Sequence, residues 1–385
     1  MNQVLIYIFW ISEILILYPY ILYPLILYIH NKARPRKLMW EQTNPFVSVL
    51  IPAYNEIDCI EATIRNKLSQ NYPHDKLEII VISDESTDGT DECVEALSQE
   101  DNRVSLIRQE PRRGKAAGLN LAIKHAKGEI IVFSDANSIY DSDAVAHMTE
   151  SFSDESVGYI TGELNYSISG NAASEHGSDA YMKFENIVRK LETGYYSIIG
   201  VNGGVDAIRK ELYKDIPPDL ITDFVLPLHV TDQGKRVIFD PRIKCYERPN
   251  EDVSAEFRMR VRVALRALRG LVYMKRLMNP FNNFKISFSL ISHKFIRYLG
   301  PVFMIIAFLS NAMLFNYSNE YATLFSIQLI IYLIAIVGLS KNLPEVIRKI
   351  TKVPTYFLIS NSAFFVAFIK LFKGETMAVW KPRQG

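Results

Sequence analysis

The chain of 385 residues is poor in cysteine, carries almost no net charge and contains no internal repeat. Its three cysteines, Cys59, Cys93 and Cys245, lack the spacing of a metal site, so we expect reduced thiols that pack inside a cytoplasmic domain. Lys and Arg total 43 against 42 for Asp and Glu, and without a basic excess we expect no nucleic-acid partner. The absence of repeats and low-complexity tracts argues against a repeat array.

Long apolar runs are prominent instead. Residues 4–29 are almost wholly apolar, with Glu13 as their one charge, and similar runs lie near 299–315, 321–339 and 355–371. Each run is close to the roughly 20 residues that a helix needs to cross a bilayer. The first run has no basic start and no small-residue cleavage site, so we predict an uncleaved transmembrane helix rather than a signal peptide.

A basic cluster, "HNKARPRK" at 30–37, follows the first run. The positive-inside rule keeps such a cluster in the cytoplasm, which places the N-terminus outside and a domain over about 45–280 inside. We therefore expect an integral protein of the cytoplasmic membrane with this domain in the cytoplasm. Four crossings would put the basic C-terminus outside, against the same rule, so the last run is predicted either to cross, or to be re-entrant or only interfacial.

Strand and helix patterns alternate in the middle of the chain. Short β-rich runs occupy 46–52, 77–83, 104–108 and 129–134, and helical patterns occupy about 57–70, 90–99 and 114–126. Runs that are apolar on both faces and separated by helices predict a parallel, doubly wound α/β sheet.

A long helical pattern at 254–278 follows the predicted sheet. Arg258, Arg262, Arg266 and Arg269 share one face, beside an apolar stripe of Phe257, Val261, Leu265, Leu268 and Val272. This arrangement favours a helix on the membrane surface over an ordinary domain helix with a solvated Arg face. A second interfacial helix is predicted over 284–297.

Polar clusters follow three of the predicted strands, and another begins the third helix. They are Ala53-Tyr54-Asn55-Glu56, "DESTDGT" at 84–90, Gly114-Lys115 and Asp135-Ala136-Asn137. On one edge of a parallel sheet they would line a crevice. There Tyr54 could stack on a base and Asp84 could accept a hydrogen bond from it. Lys115 is placed for a phosphate and Asp135 for a hard cation. For Asp88-Gly89-Thr90, a turn and helix cap is the alternative.

Five motifs in order and spacing resemble the family 2 inverting glycosyltransferases with a GT-A fold. They are "VSVLIPAYNE", "ISDESTDGT", "GKAAGLN", "SDAN" and "ITDFVLPL". The resemblance covers about 45–270, and the flanking spans are similar to those of membrane-bound polysaccharide synthases of the chitooligosaccharide, hyaluronan and poly-N-acetylglucosamine type. It implies an α/β GT-A (Rossmann-like, nucleotide-sugar-binding) domain at 45–253. Around it we expect a transmembrane helix at 1–30, interface helices at 254–298 and a transmembrane region at 299–373.

The resemblance also implies a role for each matching residue. Ala53, Tyr54, Glu56, Asp84, Lys115 and Asp135 would bind the nucleotide-sugar donor, with the uridine held by Tyr54, Glu56 and Asp84. Asp135 and Asn137 match the DxD motif that binds Mg²⁺ or Mn²⁺, and Asp223 matches the general base. Gly162, Glu163, Asn202, Gly203 and Gly204 match segments that shape the sugar and acceptor pocket.

The sequence departs from the family pattern at two motifs. The second carboxylate of DxD is replaced by the neutral amide of Asn137, which we expect to weaken metal binding. The QxxRW motif falls at Met259-Arg260-Val261-Arg262-Val263, where the Arg alone survives, as Arg262. The missing Trp argues against processive synthesis but not against glycosyl transfer.

The reaction that the resemblance implies is a single displacement that moves a sugar from a nucleotide-sugar, with a UDP-sugar as the expected donor, to a glycan or lipid-linked acceptor at the cytoplasmic membrane face. Asp223 would take the acceptor proton, while the metal and Lys115 or Arg262 neutralise the leaving diphosphate. Subunits of a polysaccharide export system are further candidate partners, and polymer synthesis and single-sugar addition stay open.

Three other functions are alternatives to this one. A dinucleotide oxidoreductase needs a G-x-G-x-x-G turn after the first strand, and none is present there. A catalytically impaired sugar-nucleotide-binding or scaffold protein of a glycan assembly complex is favoured by the two motif departures. A transport role for the C-terminal spans has little support, because they contain few polar residues.

Overall fold

The computed structural model describes residues 2–166, 178–247, 253–340 and 343–376. Within them, eight strands form one sheet in the order β3-β2-β1-β4-β7-β6-β8-β5. The strands are β1 (Val47–Ala53), β2 (Leu77–Ser83), β3 (Val104–Arg108), β4 (Ile130–Phe133), β5 (Ile139–Tyr140), β6 (Val157–Tyr166), β7 (Asp206–Arg209) and β8 (Arg236–Glu247).

The helices divide into those around the sheet and those at the two ends of the chain. Around the sheet lie α3 (Ile57–Leu68), α4 (Thr90–Glu100), α5 (Lys115–Ala122), α6 (Ala144–Ser151), α7 (Ser178–Tyr195) and α8 (Thr222–Asp232). The ends contain α1 (Asn2–Leu17), α2 (Leu22–Ala33), α9 (Val253–Tyr273), α10 (Phe284–Ser289), α11 (Ile296–Tyr298), α12 (Gly300–Leu314), α13 (Asn319–Val337) and α14 (Glu345–Phe372). A π-helical turn, Leu290–Phe295, joins α10 to α11.

The first four strands confirm the predicted parallel, doubly wound pattern. Strands β3, β2, β1 and β4 run parallel, and every residue of β1 is buried. Successive side chains of a strand point to opposite faces. Val49 and Ile51 therefore pack with Ile60 of α3, while Leu50 packs with Leu119 of α5 on the other side.

The remaining strands, for which the sequence analysis made no prediction, make the sheet mixed. Strand β7 lies antiparallel between β4 and β6. Strand β8 runs parallel to β6 and antiparallel to the two-residue β5. A strand buried on both faces has the same apolar pattern in either direction, so composition does not reveal its orientation.

The N-terminal apolar run is two helices rather than the single one predicted. Helices α1 and α2 meet at an angle of 56°, and Pro19 lies in the break between them. Proline has no N–H to donate and disfavours a helical conformation in the residue before it. The run is therefore either a broken span or a re-entrant segment.

The C-terminal runs contain the two unbroken candidate spans. Among the described residues, α13 and α14 each have the length and composition to cross a membrane. A second bent pair, Phe284–Tyr298 and Gly300–Leu314, meets at 57°, and counting each bent pair as one span gives four. The last apolar run is thus continuous in α14, and the second is continuous in α12, whereas the first is broken between α1 and α2.

Helix α9 packs its apolar stripe against protein. Leu265 and Leu268 are buried with Phe224 of α8 and Ala367 of α14. Val272, which the spacing assigned to the stripe, is 56% exposed, and Leu271 is buried in its place. The position of α9 at a membrane surface stays a prediction.

Candidate active site

The polar clusters after β1, β2 and β4 meet at one edge of the sheet. Ala53 and Ser83 end adjacent parallel strands and are paired in register. The N–H of Asp84 donates to the Ala53 carbonyl at 2.9 Å, and the N–H of Glu56 donates to the Thr90 hydroxyl at 2.9 Å. The crevice expected from the strand ends is therefore formed.

Asp84 has a different set of hydrogen-bond partners from the one that the sequence indicates. Its carboxylate is 3% exposed and accepts from Gln109 Nε2 at 2.5 Å, from Arg113 N at 2.9 Å and from Gly114 N at 3.0 Å. Asp84 thus anchors the segment that leads into α5. Its contact with a base stays a prediction.

Arg112 is a site residue that no sequence motif identifies. Its guanidinium lies 3.3 Å from the centre of the Tyr54 ring, and its Nε is 3.3 Å from Asp84 Oδ2. A cation over an aromatic face is attracted by the ring electrons. One face of Tyr54, the proposed stacking surface for a base, is therefore shared with Arg112.

The segment Asp88-Gly89-Thr90 forms a turn and helix cap, the alternative role that its sequence indicates. Asp88 Oδ1 accepts from Thr90 N at 3.1 Å and from the Thr90 hydroxyl at 2.6 Å. Asp88 Oδ2 accepts from Ile57 N at 3.1 Å, at the start of α3. These contacts satisfy backbone donors at the beginning of two helices.

Lys115 lies near both the predicted metal ligand Asp135 and the predicted base Asp223. Its Nζ lies 2.6 Å from Asp135 Oδ1 and 3.9 Å from Asp223 Oδ1. Burial opposes the charge of Lys115, but Asp135 and Asp223 outweigh it and raise the pKa of the ammonium above its ordinary value. Lys115 therefore stays a cation at the point where both carboxylates converge.

Gly203 and Gly204 separate these carboxylates and have no room for a side chain. Their φ angles are +74° and +72°, a region that residues with a Cβ rarely adopt. A Cβ on Gly203 would lie 2.6 Å from Asp223 Oδ2, and a Cβ on Gly204 would lie 3.2 Å from Asp135 Oδ2. The two glycines keep the space between the acidic side chains open.

Helix α3 supports the turn after β4 through two hydrogen bonds. Thr63 Oγ1 donates to the Ala136 carbonyl at 2.6 Å, and Lys67 Nζ donates to the Ser138 carbonyl at 2.6 Å. Lys67 is fully buried, with its Nζ 3.5 Å from the centre of the Tyr140 ring. Burial lowers the pKa of Lys67 to about 7. Sequence reasoning missed this support, because α3 reads as an ordinary amphipathic helix.

The oxygens near this turn fit a hard divalent cation. No group of three or more His, Cys, Asp or Glu side chains suited to a metal occurs in the described ranges. However, Ser138 Oγ, Glu247 Oε1 and Asp135 Oδ2 lie 2.9, 3.1 and 3.2 Å from the point that a Cβ on Gly204 would occupy. Mg²⁺ commonly takes one or two protein carboxylates and completes its shell with water and substrate phosphates. Asn137 is partly buried in the same turn.

Asp223 lies in the first turn of α8. The preceding Ile221 is the cap residue, and Asp223 Oδ1 accepts from the Thr222 hydroxyl at 2.9 Å. A carboxylate in this turn interacts favourably with the helix dipole.

Asp206 is a second buried carboxylate beside Asp223, and no motif predicted it. Neither of its carboxylate oxygens has a hydrogen-bond partner among the described residues. Burial, and then the charge of Asp223, raise the pKa of Asp206 to about 7, although Thr161 and Lys115 act in the opposite direction. A group with such a pKa in a crevice is a candidate for a functional role.

Among the arginines of α9, Arg266 has a recorded interaction with Asp223. The charges of Arg266 and Asp223 interact, and Arg262 lies near the same guanidinium. Arg266 also donates to the Leu220 carbonyl, and Arg269 pairs with Asp219 at 2.6 Å. The role predicted for Arg262 stays a prediction, and Arg266 joins it as a candidate.

The residues predicted for the sugar and acceptor pocket lie on β6 and beside it. Asn202 Nδ2 donates to the Gly162 carbonyl at 2.9 Å, and Asn186 of α7 donates to Glu163 Oε1 at 3.2 Å. A Cβ on Gly162 would lie 2.6 Å from the Ile243 carbonyl of β8. Glycine is therefore needed at 162 for the close approach of β6 and β8.

Comparison with known proteins shows which proteins this domain resembles. Residues 48–216 match the family model described as glycosyl transferase family 2. The poly-beta-1,6-N-acetyl-D-glucosamine synthase of Staphylococcus aureus (strain MSSA476) is 28% identical over 225 residues, which cover 57% of this chain and 53% of that protein. The protein of the same name from Staphylococcus epidermidis is 26% identical over 271 residues, 69% of this chain and 64% of its own length. The chain spans about half the length of the S. aureus relative.

A solved structure extends the likeness to nearly the whole chain. The mannosyltransferase PcManGT from Pyrobaculum calidifontis, in complex with GDP-Man and Mn²⁺, matches with a TM-score of 0.71 at 24% identity. The match covers 96% of this chain and 100% of that one. Together with the family match, it confirms the predicted α/β GT-A fold.

Proposed function

We propose that this chain, which carries a family 2 glycosyltransferase domain of GT-A fold, transfers a sugar from a nucleotide-sugar donor to a hydroxyl of a glycan or lipid-linked acceptor, with inversion. The observation that carries the proposal is the convergence of Asp223 and Asp135 on Lys115, at 3.9 and 2.6 Å. Gly203 and Gly204 let the backbone approach these charges closely, because neither carries a side chain. A carboxylate base, the Lys115 ammonium and a carboxylate that can bind a cation are thereby available to one bound substrate.

Asp223 is the proposed general base. It would accept the proton of the acceptor hydroxyl while the acceptor oxygen bonds to the anomeric carbon and the bond from that carbon to the diphosphate breaks. Lys115 lies between Asp223 and Asp135, so its ammonium is suited to stabilise the departing diphosphate. The same ion pairs hold all three side chains in position before the donor binds.

Asp135, with the amide oxygen of Asn137, would hold a divalent cation, Mg²⁺ or Mn²⁺, whose charge offsets that of the leaving diphosphate. The related mannosyltransferase was solved with Mn²⁺, which supports including Mn²⁺ among the cations to be tested. Tyr54 and Arg112 would lie beside the nucleobase of the donor, and one ring face of Tyr54 contacts the guanidinium of Arg112. UDP-sugars and GDP-mannose are both donors to test.

The domain division, membrane topology and acceptor belong to the same proposal. Helices α13 and α14 have the length to cross a membrane, and the proposal places the 45–253 domain on the cytoplasmic face. The curated relatives are synthases of poly-beta-1,6-N-acetyl-D-glucosamine by name, which supports a role in polysaccharide synthesis, with export subunits as partners. The absent QxxRW Trp favours addition of single sugars over processive synthesis.

The test is donor turnover by the detergent-purified full chain and by Asp223→Asn. Wild-type protein should release a nucleoside diphosphate from one of the UDP-sugars or GDP-mannose when membrane extract supplies acceptors. Asp223→Asn should lose about 10²–10⁴-fold in transfer, the typical contribution of a general base, and keep donor affinity. Asp232→Asn is the matched control, because Asp232 ends the same helix and pairs with Arg276 instead.

The outcomes separate the enzyme from a scaffold. A wild-type chain that binds a donor but never turns it over would support the catalytically impaired sugar-nucleotide-binding protein. Unchanged transfer by folded Asp223→Asn would remove Asp223 from the mechanism, with Glu163 the next candidate for the base.

A further inference from the structure

We propose that Glu247 is a second carboxylate of the cation and diphosphate site, and that it supplies the negative charge that Asn137 lacks. The inference rests on the proposed function, since it assigns a residue to the same site. Residue 247 lies outside the motifs from which the site was predicted. It is far from the Asp135 turn in sequence, and the fold brings the two together.

Strand pairing places Glu247 beside the turn. Glu247 ends β8, and β8 pairs with β5 through Tyr246 and Ile139. Strand β5 begins directly after Ser138, so the pairing places the end of β8 next to the turn. The Ser138 hydroxyl donates to Glu247 Oε1 at 2.5 Å. The strand that carries Glu247 is therefore fixed at the carboxylate turn by the architecture of the sheet.

Glu247 and Asp135 both approach the backbone at Gly204. Glu247 Oε1 and Asp135 Oδ2 lie 3.1 and 3.2 Å from the point that a Cβ on Gly204 would occupy. The other oxygen of Asp135 faces away, toward Lys115 Nζ at 2.6 Å. Two carboxylates thus present one oxygen each to the same space, which is the number that a cation completed by phosphate oxygens and water requires.

The surroundings of Glu247 include the cationic side chain of Lys67. Glu247 is 5% exposed, and a buried carboxylate is costly unless a cation or donors accompany it. The Lys67 ammonium is close enough for its charge to interact with Glu247. Lys67 also binds the Ser138 carbonyl. A divalent cation would therefore meet an anionic partner on the side of the turn opposite Lys115.

A support role through Ser138 alone is the competing explanation, and two variants separate it from a charge role. Glu247→Gln removes the charge but keeps a carbonyl oxygen that can accept from the Ser138 hydroxyl. Ser138→Ala removes that hydrogen bond and keeps the charge. If Glu247 only positions the turn, Ser138→Ala should be the more damaging change. If Glu247 attracts the cation, Glu247→Gln should be.

The experiment measures Mn²⁺ binding to the full-length protein in detergent, in the presence of UDP and, in parallel, GDP. Calorimetric titration and the Mn²⁺ resonance signal give affinity without catalysis. We expect Glu247→Gln to weaken Mn²⁺ binding by roughly 10–100-fold, and Ser138→Ala to change it far less. The double variant Asn137→Asp with Glu247→Gln should recover much of the affinity, because it returns one charge to the site. Exposed Glu211→Gln is the charge-loss control.

Each result decides for or against the assignment. Wild-type affinity in Glu247→Gln, or an equal loss in Ser138→Ala, would overturn the role of Glu247 and leave the proposed transferase standing. A wild-type protein that binds neither nucleoside diphosphate with Mn²⁺ would overturn the proposed function and this inference with it. Melting of each variant without metal checks that the fold is intact.

Discussion

Asp206→Asn is expected to stabilise the folded protein at alkaline pH. Asp206 begins β7, is fully buried, and pairs in register with Thr161 of β6. Its two carboxylate oxygens have no hydrogen-bond partner in the described part of the chain, and Asp223 adds a like charge nearby. The charged form of Asp206 is therefore disfavoured by folding, and asparagine removes that charge with little change of shape.

The pKa of Asp206 sets the size and the sign of the effect. The pKa is about 7 in the fold against an ordinary value of 3.8, and one pKa unit corresponds to about 1.36 kcal/mol. The full difference is on the order of 4 kcal/mol. Because the folded pKa is the higher one, the folded state binds the extra proton between pH 4 and 7, and stability falls as pH rises through that window.

Asparagine abolishes this pH dependence but leaves an amide whose own hydrogen bonds are unmet. An unsatisfied buried polar group costs about 1–3 kcal/mol, so the net gain at pH 8 should be roughly 1–3 kcal/mol. Below pH 4 the gain should disappear, since Asp206 is then neutral in both states.

Denaturant unfolding of the detergent-solubilised protein at pH 5 and pH 8 measures the effect. The variant should lose less stability than wild type between the two values, and exposed Asp215→Asn is the matched control. If the stability of the variant depended on pH as that of wild type does, ionisation of Asp206 would cost no folding stability. The argument from burial would then be wrong.

Two further substitutions, one at Gly203 and one at Lys67, test the same site. Gly203→Ala should abolish transfer and lower the melting temperature, because its Cβ would lie 2.6 Å from Asp223 Oδ2 at a φ of +74°; wild-type turnover would contradict the proposed crowding. Lys67→Met should weaken metal-dependent nucleotide binding, since Lys67 holds the Ser138 carbonyl. The pKa of Lys67, about 7, lies below the ordinary 10.5, so wild-type stability should rise with pH between these values and the variant should lack that rise.

Local sequence pattern was sufficient for the parallel half of the sheet. The runs at β1, β2, β3 and β4 are short, apolar and separated by helical patterns, so each strand is recognisable by itself. The direction of β7 depends instead on contacts with β4 and β6. Those contacts join residues far apart in sequence, and neither an alternating nor a fully apolar pattern predicts them.

The candidate site divides in the same way. Lys115 and Asp135 were predicted from a helix start and a strand end, and Asp223 from the family resemblance. In the structure Lys115 Nζ lies 2.6 Å from Asp135 Oδ1 and 3.9 Å from Asp223 Oδ1. Lys67 and Glu247 were missed, although both contact Ser138. They reach the site from the last turn of a helix and the end of a late strand, positions that an amphipathic or alternating pattern assigns to packing.

The arginines of α9 show why equal spacing does not imply equal function. Arg269 pairs with Asp219, and Arg266 binds the Leu220 carbonyl, so both attach α9 to the segment that leads into Asp223. Gly270, between those contacts and the end of the helix, would place a Cβ 3.0 Å from Phe224, which keeps α9 and α8 in close contact. Because α9 also packs against α14, a candidate span, the contacts of α9 join α14 to the segment that leads into the first turn of α8. The position of the proposed base thus depends on the packing of α9 against α8 and α14, and not on the strand ends alone.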